Sequence, residues 1–361
     1  MMRRPLLLIT ALLVFVGSSI AQSGNVQVKS RIDALREFAA AQSPDDENWK
    51  DLKPGVERYL MLSEEALKAG HLYFAIEELG KANEYANAYR FMKQGPATLT
   101  MSAFESQWKK SSVQLAALDR EAKQRKWVGV PIAVRALAES AQGQGPTLVE
   151  ASRAYATVTN AEAGYFYLGQ ANADEEFAKF VHGLGVKSKN TAFAPRSILP
   201  EIQKLQDKIN AAFVPPRSIE KHKEFIRLNS TLKLAGELDA AQLYAGALYQ
   251  YLQSVVQFQL LDAKDLDAGQ QATLRDQIAV ARKKVESSHS DDSLAQMFVE
   301  RSETLIANKA GKDATQEEWT NASVVVSAAL PAYYQVLASH EKMPSQQKDA
   351  VTVTLVRWPY T

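Results

Sequence analysis

The chain of 361 residues carries 42 Lys and Arg against 41 Asp and Glu, with 46% hydrophobic and 23% charged residues and no cysteine. Balanced charge gives no general attraction to nucleic acid or to an anionic membrane. The lack of cysteine excludes thiol catalysis, covalent haem attachment, iron–sulfur ligation, cysteine-based zinc sites and a lipid anchor on a cleavage-site cysteine, and a chain this long and apolar can bury a large core without disulfides.

The first residues read as an address. Met1-Met2-Arg3-Arg4 is a short basic start, Leu6 to Val16 is apolar except for Thr10, and Ser19-Ile20-Ala21 sets small residues at the −3 and −1 positions of a cleavage site. That order is expected of a secretory signal peptide, residues 1–21, cleaved after Ala21. Its apolar run is short for a bilayer span, and no span is expected in the mature chain. Losing Arg3 and Arg4 takes the formal net charge from +1 to −1. An exported, cysteine-free chain of this size points to a bacterial periplasmic or secreted protein.

Beyond Ala21 the chain reads as helix almost throughout, because Ala, Leu, Glu, Lys and Gln dominate and Gly and Pro fall mostly at punctuating positions. Helices are expected over 26–42, 55–69, 72–93, 98–126, 131–142, 147–162, 165–182, 197–213, 217–234, 238–262, 268–288, 292–308 and 316–340. Ser102-x-x-Glu105, Thr147-x-x-Glu150 and Thr315-x-x-Glu318 fit capping boxes, and Ser290-Asp291-Asp292 sets cap oxygens before another start. Ala69-Gly70, Ala163-Gly164, Ala235-Gly236 and Ala310-Gly311 read as helix stops. Gly95-Pro96, Gly145-Pro146 and Pro215-Pro216 read as breaks. Residues 183–196 form the longest expected loop and the one candidate subdivision of a helical domain over 22–349. The last stretch, 350–361, alternates β-branched residues from Val351 to Trp358 and is expected to be extended. It packs back on the helices, adds to the sheet edge of a partner, or is a disordered tail.

Around Gly70 the chain reads Gly70-His71-Leu72-Tyr73-Phe74-Ala75-Ile76-Glu77-Glu78-Leu79-Gly80-Lys81-Ala82, with Ala75, Leu79 and Ala82 on one helical face. Tyr59, Leu62 and Ala66 precede it at first-helix packing positions. This resembles the second half of a tetratricopeptide repeat, with Ser63 standing where that family prefers Gly. A second copy is read at Gly236-Glu237-Leu238-Asp239-Ala240-Ala241 and a poorer third at Gly164-Tyr165-Phe166. The resemblance covers about a third of the chain, and the copies recur more widely than the roughly 34 residues of tandem repeats. It implies an all-α fold of antiparallel helix hairpins, either a solenoid of this kind or an irregular helical bundle.

No segment carries a sharp catalytic signature. The five His form no zinc-binding pair, and Glu286-x-x-His289 occurs once where a di-iron site needs two copies. No nucleophile elbow, phosphate loop or dinucleotide fingerprint is present. Glu105-Ser106, Glu139-Ser140 and Glu286-Ser287 lack the Gly-Leu-Met-Gln continuation of lytic transglycosylases. The contact candidates are Tyr85, Tyr89, Tyr244 and Tyr251, which suit a peptide or glycan or else core packing, then Lys187, Lys189 and Arg196 of the long loop, and Trp358. No catalytic, cofactor or metal site is expected. The reading is an exported, non-enzymatic scaffold or binding protein of the envelope or exterior, with a protein partner, or alternatively a peptide or glycan. The rival is an all-helical enzyme acting on cell-wall or extracellular glycan. Converging carboxylates, His and Tyr from distant segments in a deep cleft would favour the rival; a shallow apolar groove would favour the scaffold.

Overall fold

The computed structural model describes residues 24–93, 100–124, 127–157, 160–188, 190, 194–214, 219–307 and 311–342. The signal and cleavage reading at 1–21, Lys189, and the 350–361 segment with Trp358 lie outside these residues. Among the described residues every regular element is a helix, as expected of an all-α chain. In order they are α1 (24–40), α2 (Glu47–Lys68), α3 (Leu72–Met92), α4 (Met101–Gln124), α5 (Ile132–Tyr155), α6 (Ala161–Gly183), α7 (Leu199–Ala212), α8 (His222–Ala240), α9 (Tyr244–Leu260), α10 (Ala268–Glu286), α11 (Ser293–Ile306), α12 (Gln316–Val324) and α13 (Leu330–Lys342). A π-helical turn, Val325–Ala329, joins the last two.

Several expected punctuation marks lie inside helices. Gly145-Pro146 does not break the chain, so the helices expected at 131–142 and 147–162 are the single α5, and Thr147 caps nothing there. Gly164 sits in the first turn of α6 and Gly236 in the last third of α8. Neither is a hairpin turn. The capping box at Thr315 and Glu318 forms as expected, whereas α4 is capped from Thr100 rather than Ser102.

The Gly70 hairpin is real. His71 N bonds Ala66 O at 2.8 Å and Gly70 N bonds Leu67 O at 3.1 Å, with Gly70 at φ +80°, the left-handed residue this closure needs. Ser63 is fully buried and donates to Ala75 O across the hairpin at 2.7 Å. The second hairpin turns six residues later than expected. Between α8 and α9, Leu243 N bonds Leu238 O at 2.9 Å and Gln242 N bonds Asp239 O at 3.0 Å, with Gln242 at φ 62°. A non-Gly residue in that region is strained by about 1 kcal/mol. Gln242→Gly is therefore expected to stabilise the protein by up to about 1 kcal/mol in urea unfolding.

Helix neighbours do not follow chain order. α3 packs between α2 and α6, α6 lies on α5, α5 on α9 and α9 on α8, while α11 touches α2, α3 and α5. Two glycines permit the closest approaches. A Cβ on Gly169 of α6 would stand 2.5 Å from Asn87 O of α3, and one on Gly246 of α9 would stand 2.9 Å from Ser140 N of α5. One core runs from Val28 to Val336, with a satellite around Phe104, Val149 and Tyr165 under α4. Residues before and after the 183–196 loop share that core. The helix Gln316–His340 has a mean hydropathy of 1.3 and is long and apolar enough to cross a membrane by those measures alone. Here it places Trp319, Val325, Tyr333 and Val336 in the core.

Candidate functional site

A carboxylate taken out of water needs donors or a counter-charge, so each buried acid has to be explained. Four of them cap helices. The residue preceding α3, His71, makes no side-chain cap bond, and Glu300 of α11 fills the role, accepting from Tyr73 N at 3.0 Å and Phe74 N at 3.1 Å. Pro131 caps nothing at the start of α5, where Asp291 accepts from Ile132 N at 2.9 Å and Ser293 Oγ from Ala133 N at 3.0 Å. Glu139 of α5 accepts from Ala245 N and Gly246 N of α9, both at 2.9 Å. Asp239 of α8 accepts from Ile198 N at the entry to α7 at 2.8 Å. Negative charge at these N-termini also complements the helix dipole. Asp292 accepts from Tyr333 Oη, and Glu175 pairs with Lys179.

Three buried acids are left over, Glu77 and Glu78 on α3 and Asp174 on α6, and half-buried Glu84 of α3 joins them. All four line a cavity of about 600 Å³ between α2, α3, α5, α6, α8, α9, α11 and α12. Its wall is largely amide and hydroxyl, with Ser140, Gln144, Gln170, Gln250, Gln253, Gln257 and Tyr249, and Arg58 and Arg227 are exposed lining residues. Gly80 makes room on α3 for the Phe177 ring, which a Cβ would meet at 2.8 Å.

Charge in the cavity is unevenly matched. Lys81 Nζ stands 2.8 Å from Glu77 and 2.5 Å from Glu78. Glu77 also accepts from Tyr249 Oη at 3.0 Å and Gln253 Nε2 at 3.2 Å, and Gln253 accepts in turn from Arg301 at 3.0 Å. Burial would raise the Glu77 carboxyl, but Lys81, then Arg301, hold it below the ordinary range. Burial raises Glu78 against the pull of Lys81. Burial also works against the Lys81 ammonium, yet Glu77 and Glu78 hold its pKa above the usual value. Glu84 is pushed up to about 7 by burial, with Lys81 opposing. Asp174 is raised well above the usual range by burial and then by Glu84. Its Oδ2 has no hydrogen-bond partner although the residue is 2% exposed.

A carboxyl raised in the folded state holds its proton to higher pH than in the unfolded chain, so ionising it on the folded side loses stability. Glu84 therefore subtracts stability as pH rises from about 4.5 through about 7. The expected result is a urea midpoint difference between pH 5 and pH 8 that shrinks in Glu84→Gln. An unchanged difference would place Glu84 in water.

The expected contact residues do not converge. Tyr85 lines this cavity and packs tilted against Tyr59, ring centroids 5.7 Å apart. Tyr89 is a core residue, 1% exposed, whose hydroxyl donates to Asp46 at 3.0 Å. Tyr244 is half-buried at the start of α9. Tyr251 lines a second, smaller cavity with Lys204 and Lys208. Lys187 and Arg196 are exposed on the long loop, apart from both cavities. Sequence reasoning missed Glu78, Lys81, Glu84 and Asp174, and it missed the cavity role of Tyr249. Among the described residues no group of three or more His, Asp or Glu is placed to hold a metal ion. Comparison with protein-family models, with curated proteins and with solved structures finds no match for this chain.

Proposed function

We propose that this chain is an exported, non-enzymatic binding protein of the bacterial envelope or exterior that holds a small polar molecule in the cavity between α3, α6 and α9. The observation that carries this reading is the cavity's acids. Every other acid buried below one-tenth exposure caps a helix or bonds a partner within the protein, Glu78 with Lys81 included, whereas Asp174 caps nothing and has a carboxylate oxygen with no hydrogen-bond partner, and half-buried Glu84 lines the same cavity. A cavity of about 600 Å³ is the size of a ligand site. The polar lining favours a small ligand over the protein partner that helical hairpins alone suggest. The discontinuous helix order favours an irregular bundle over a tandem solenoid. Burial of one face of Gln316–His340 is in keeping with a mature chain that lacks a membrane span.

Native mass spectrometry of the mature protein, purified from its own cell envelope, tests the reading. A bound small molecule is expected at one per chain, and Gln257→Trp, which fills the cavity from α9, should remove it. A bare protein mass in the wild type would overturn it.

The converging carboxylates also support the rival reading, an enzyme acting on cell-wall or extracellular glycan. Glu84, titrating near 7, has the protonation behaviour of a general acid, with other carboxylates lining the same cavity. Release of sugar fragments from envelope polymer, lost in Glu84→Gln, would decide for it.

A further inference from the structure

The cavity's anionic charge is satisfied on one side only. Glu77 and Glu78 share Lys81, and Glu77 has Tyr249 and Gln253 as further donors. Asp174, 2% exposed and lining the same cavity, has a buried carboxylate oxygen with no hydrogen-bond partner. The charged group acting on it is another acid, Glu84. The cation acting on Glu84 is Lys81, which is already committed to Glu77 and Glu78. The buried capping carboxylates Glu139 and Glu300, by contrast, each receive two main-chain donors. What this corner lacks is a donor carrying positive charge.

The chemistry of the missing group follows. An anionic group would face two acids. A neutral polyol can donate hydrogen bonds but leaves the charge uncompensated. A primary ammonium supplies three donors and the charge together, in a partly desolvated site where charge-assisted bonds are strongest. We propose that the Asp174–Glu84 corner seats a primary ammonium group, so that the molecule held in this cavity is a small organic amine. The proposal rests on the reading of the cavity as a ligand site. Arg58, Tyr59, Lys81, Tyr85, Arg227 and Arg301 are among the other charged or titratable groups of the cavity wall, with Glu77, Glu78, Tyr249, Glu317 and Glu318, and the amide-rich remainder would hold the rest of the molecule.

The test is calorimetric titration of the full mature protein at pH 8, where simple alkyl amines are protonated, with two matched pairs: ethanolamine against ethylene glycol, and putrescine against butane-1,4-diol. In at least one pair the amine is expected to bind about tenfold or more tightly than its neutral counterpart. Asp174→Asn and Glu84→Gln, both close in shape to the original, should each bring that ratio to about two or less. A neutral member that binds as tightly as its amine would overturn the proposal, as would a preference that survives both substitutions. If neither pair binds, the compound released from the natively purified protein decides. An amine supports the proposal, a neutral or anionic compound overturns it while leaving the cavity a ligand site, and no compound at all overturns both.

Discussion

Glu300→Ala and Glu139→Ala are each expected to destabilise the protein by about 3 kcal/mol in urea unfolding. Each side chain is almost wholly buried and accepts from two main-chain amides that open another helix: Tyr73 and Phe74 of α3 for Glu300, Ala245 and Gly246 of α9 for Glu139. Truncation leaves two buried donors unpaired at about 1–3 kcal/mol apiece, with a smaller loss from the helix dipole. The two hairpins are equivalent in this respect. The same two amides after the left-handed residue, Gly70 in one and Gln242 in the other, receive a carboxylate from a helix that packs across the turn. Glu47→Ala, on the exposed first turn of α2, should change stability by less than about 0.5 kcal/mol.

Gly169→Val should be as damaging, at about 3 kcal/mol, because its Cβ would lie 2.5 Å from Asn87 O and 2.7 Å from Ala88 Cα. Those are backbone atoms of α3 and cannot rotate away, so α6 must separate from α3 and open the wall of the cavity. Gly236→Ala is the opposite case. Gly236 lies inside α8 with ordinary helical φ, and nothing stands within 4 Å of a Cβ there. Alanine should stabilise the helix by about 1 kcal/mol. A loss instead would return Gly236 to the turn that its sequence suggests.

The contrast between Gly70 and Gly236 shows what sequence could and could not tell. Ala-Gly at the end of an apolar helical run is the same signal in both places, but only at Gly70 does the chain leave the helix. At Gly236 the run continues because Leu238 is needed in the core and Asp239 caps α7, and both needs are long-range. Pro146 is a similar case. Its helix-breaking preference is local, whereas α5 is held by α4, α6 and α9 on several sides. Helix 72–93, the Thr315 capping box and the long loop after α6 were legible because caps, composition and turn chemistry are local. The site was not legible, because Glu77 and Lys81 are spaced like a solvated i,i+4 pair. A signal was nonetheless present. Glu78 lies one turn from Phe74 and Ala82 on the apolar face of α3, whereas Glu77, Lys81 and Glu84 share the other side, so one charge at least was set to fall inside the protein. Tyr89 misled for the same reason: spacing puts it one turn from Tyr85, but the core takes one and the cavity the other.

The central claim is that the buried carboxylates form two populations, one that holds the fold together and one that serves a ligand at the fold's expense. Thermal unfolding of four amide variants at pH 8, without added ligand, tests it most directly. Glu139→Gln and Glu300→Gln should lower Tm, since each oxygen of those carboxylates accepts a donor that an amide nitrogen cannot replace. Asp174→Asn and Glu84→Gln should leave Tm unchanged or raise it, since neither acid caps a helix and each is held in the cavity wall at a cost in desolvation. If the cavity variants lose as much stability as the capping ones, the cavity acids are structural and the functional reading of this site is wrong.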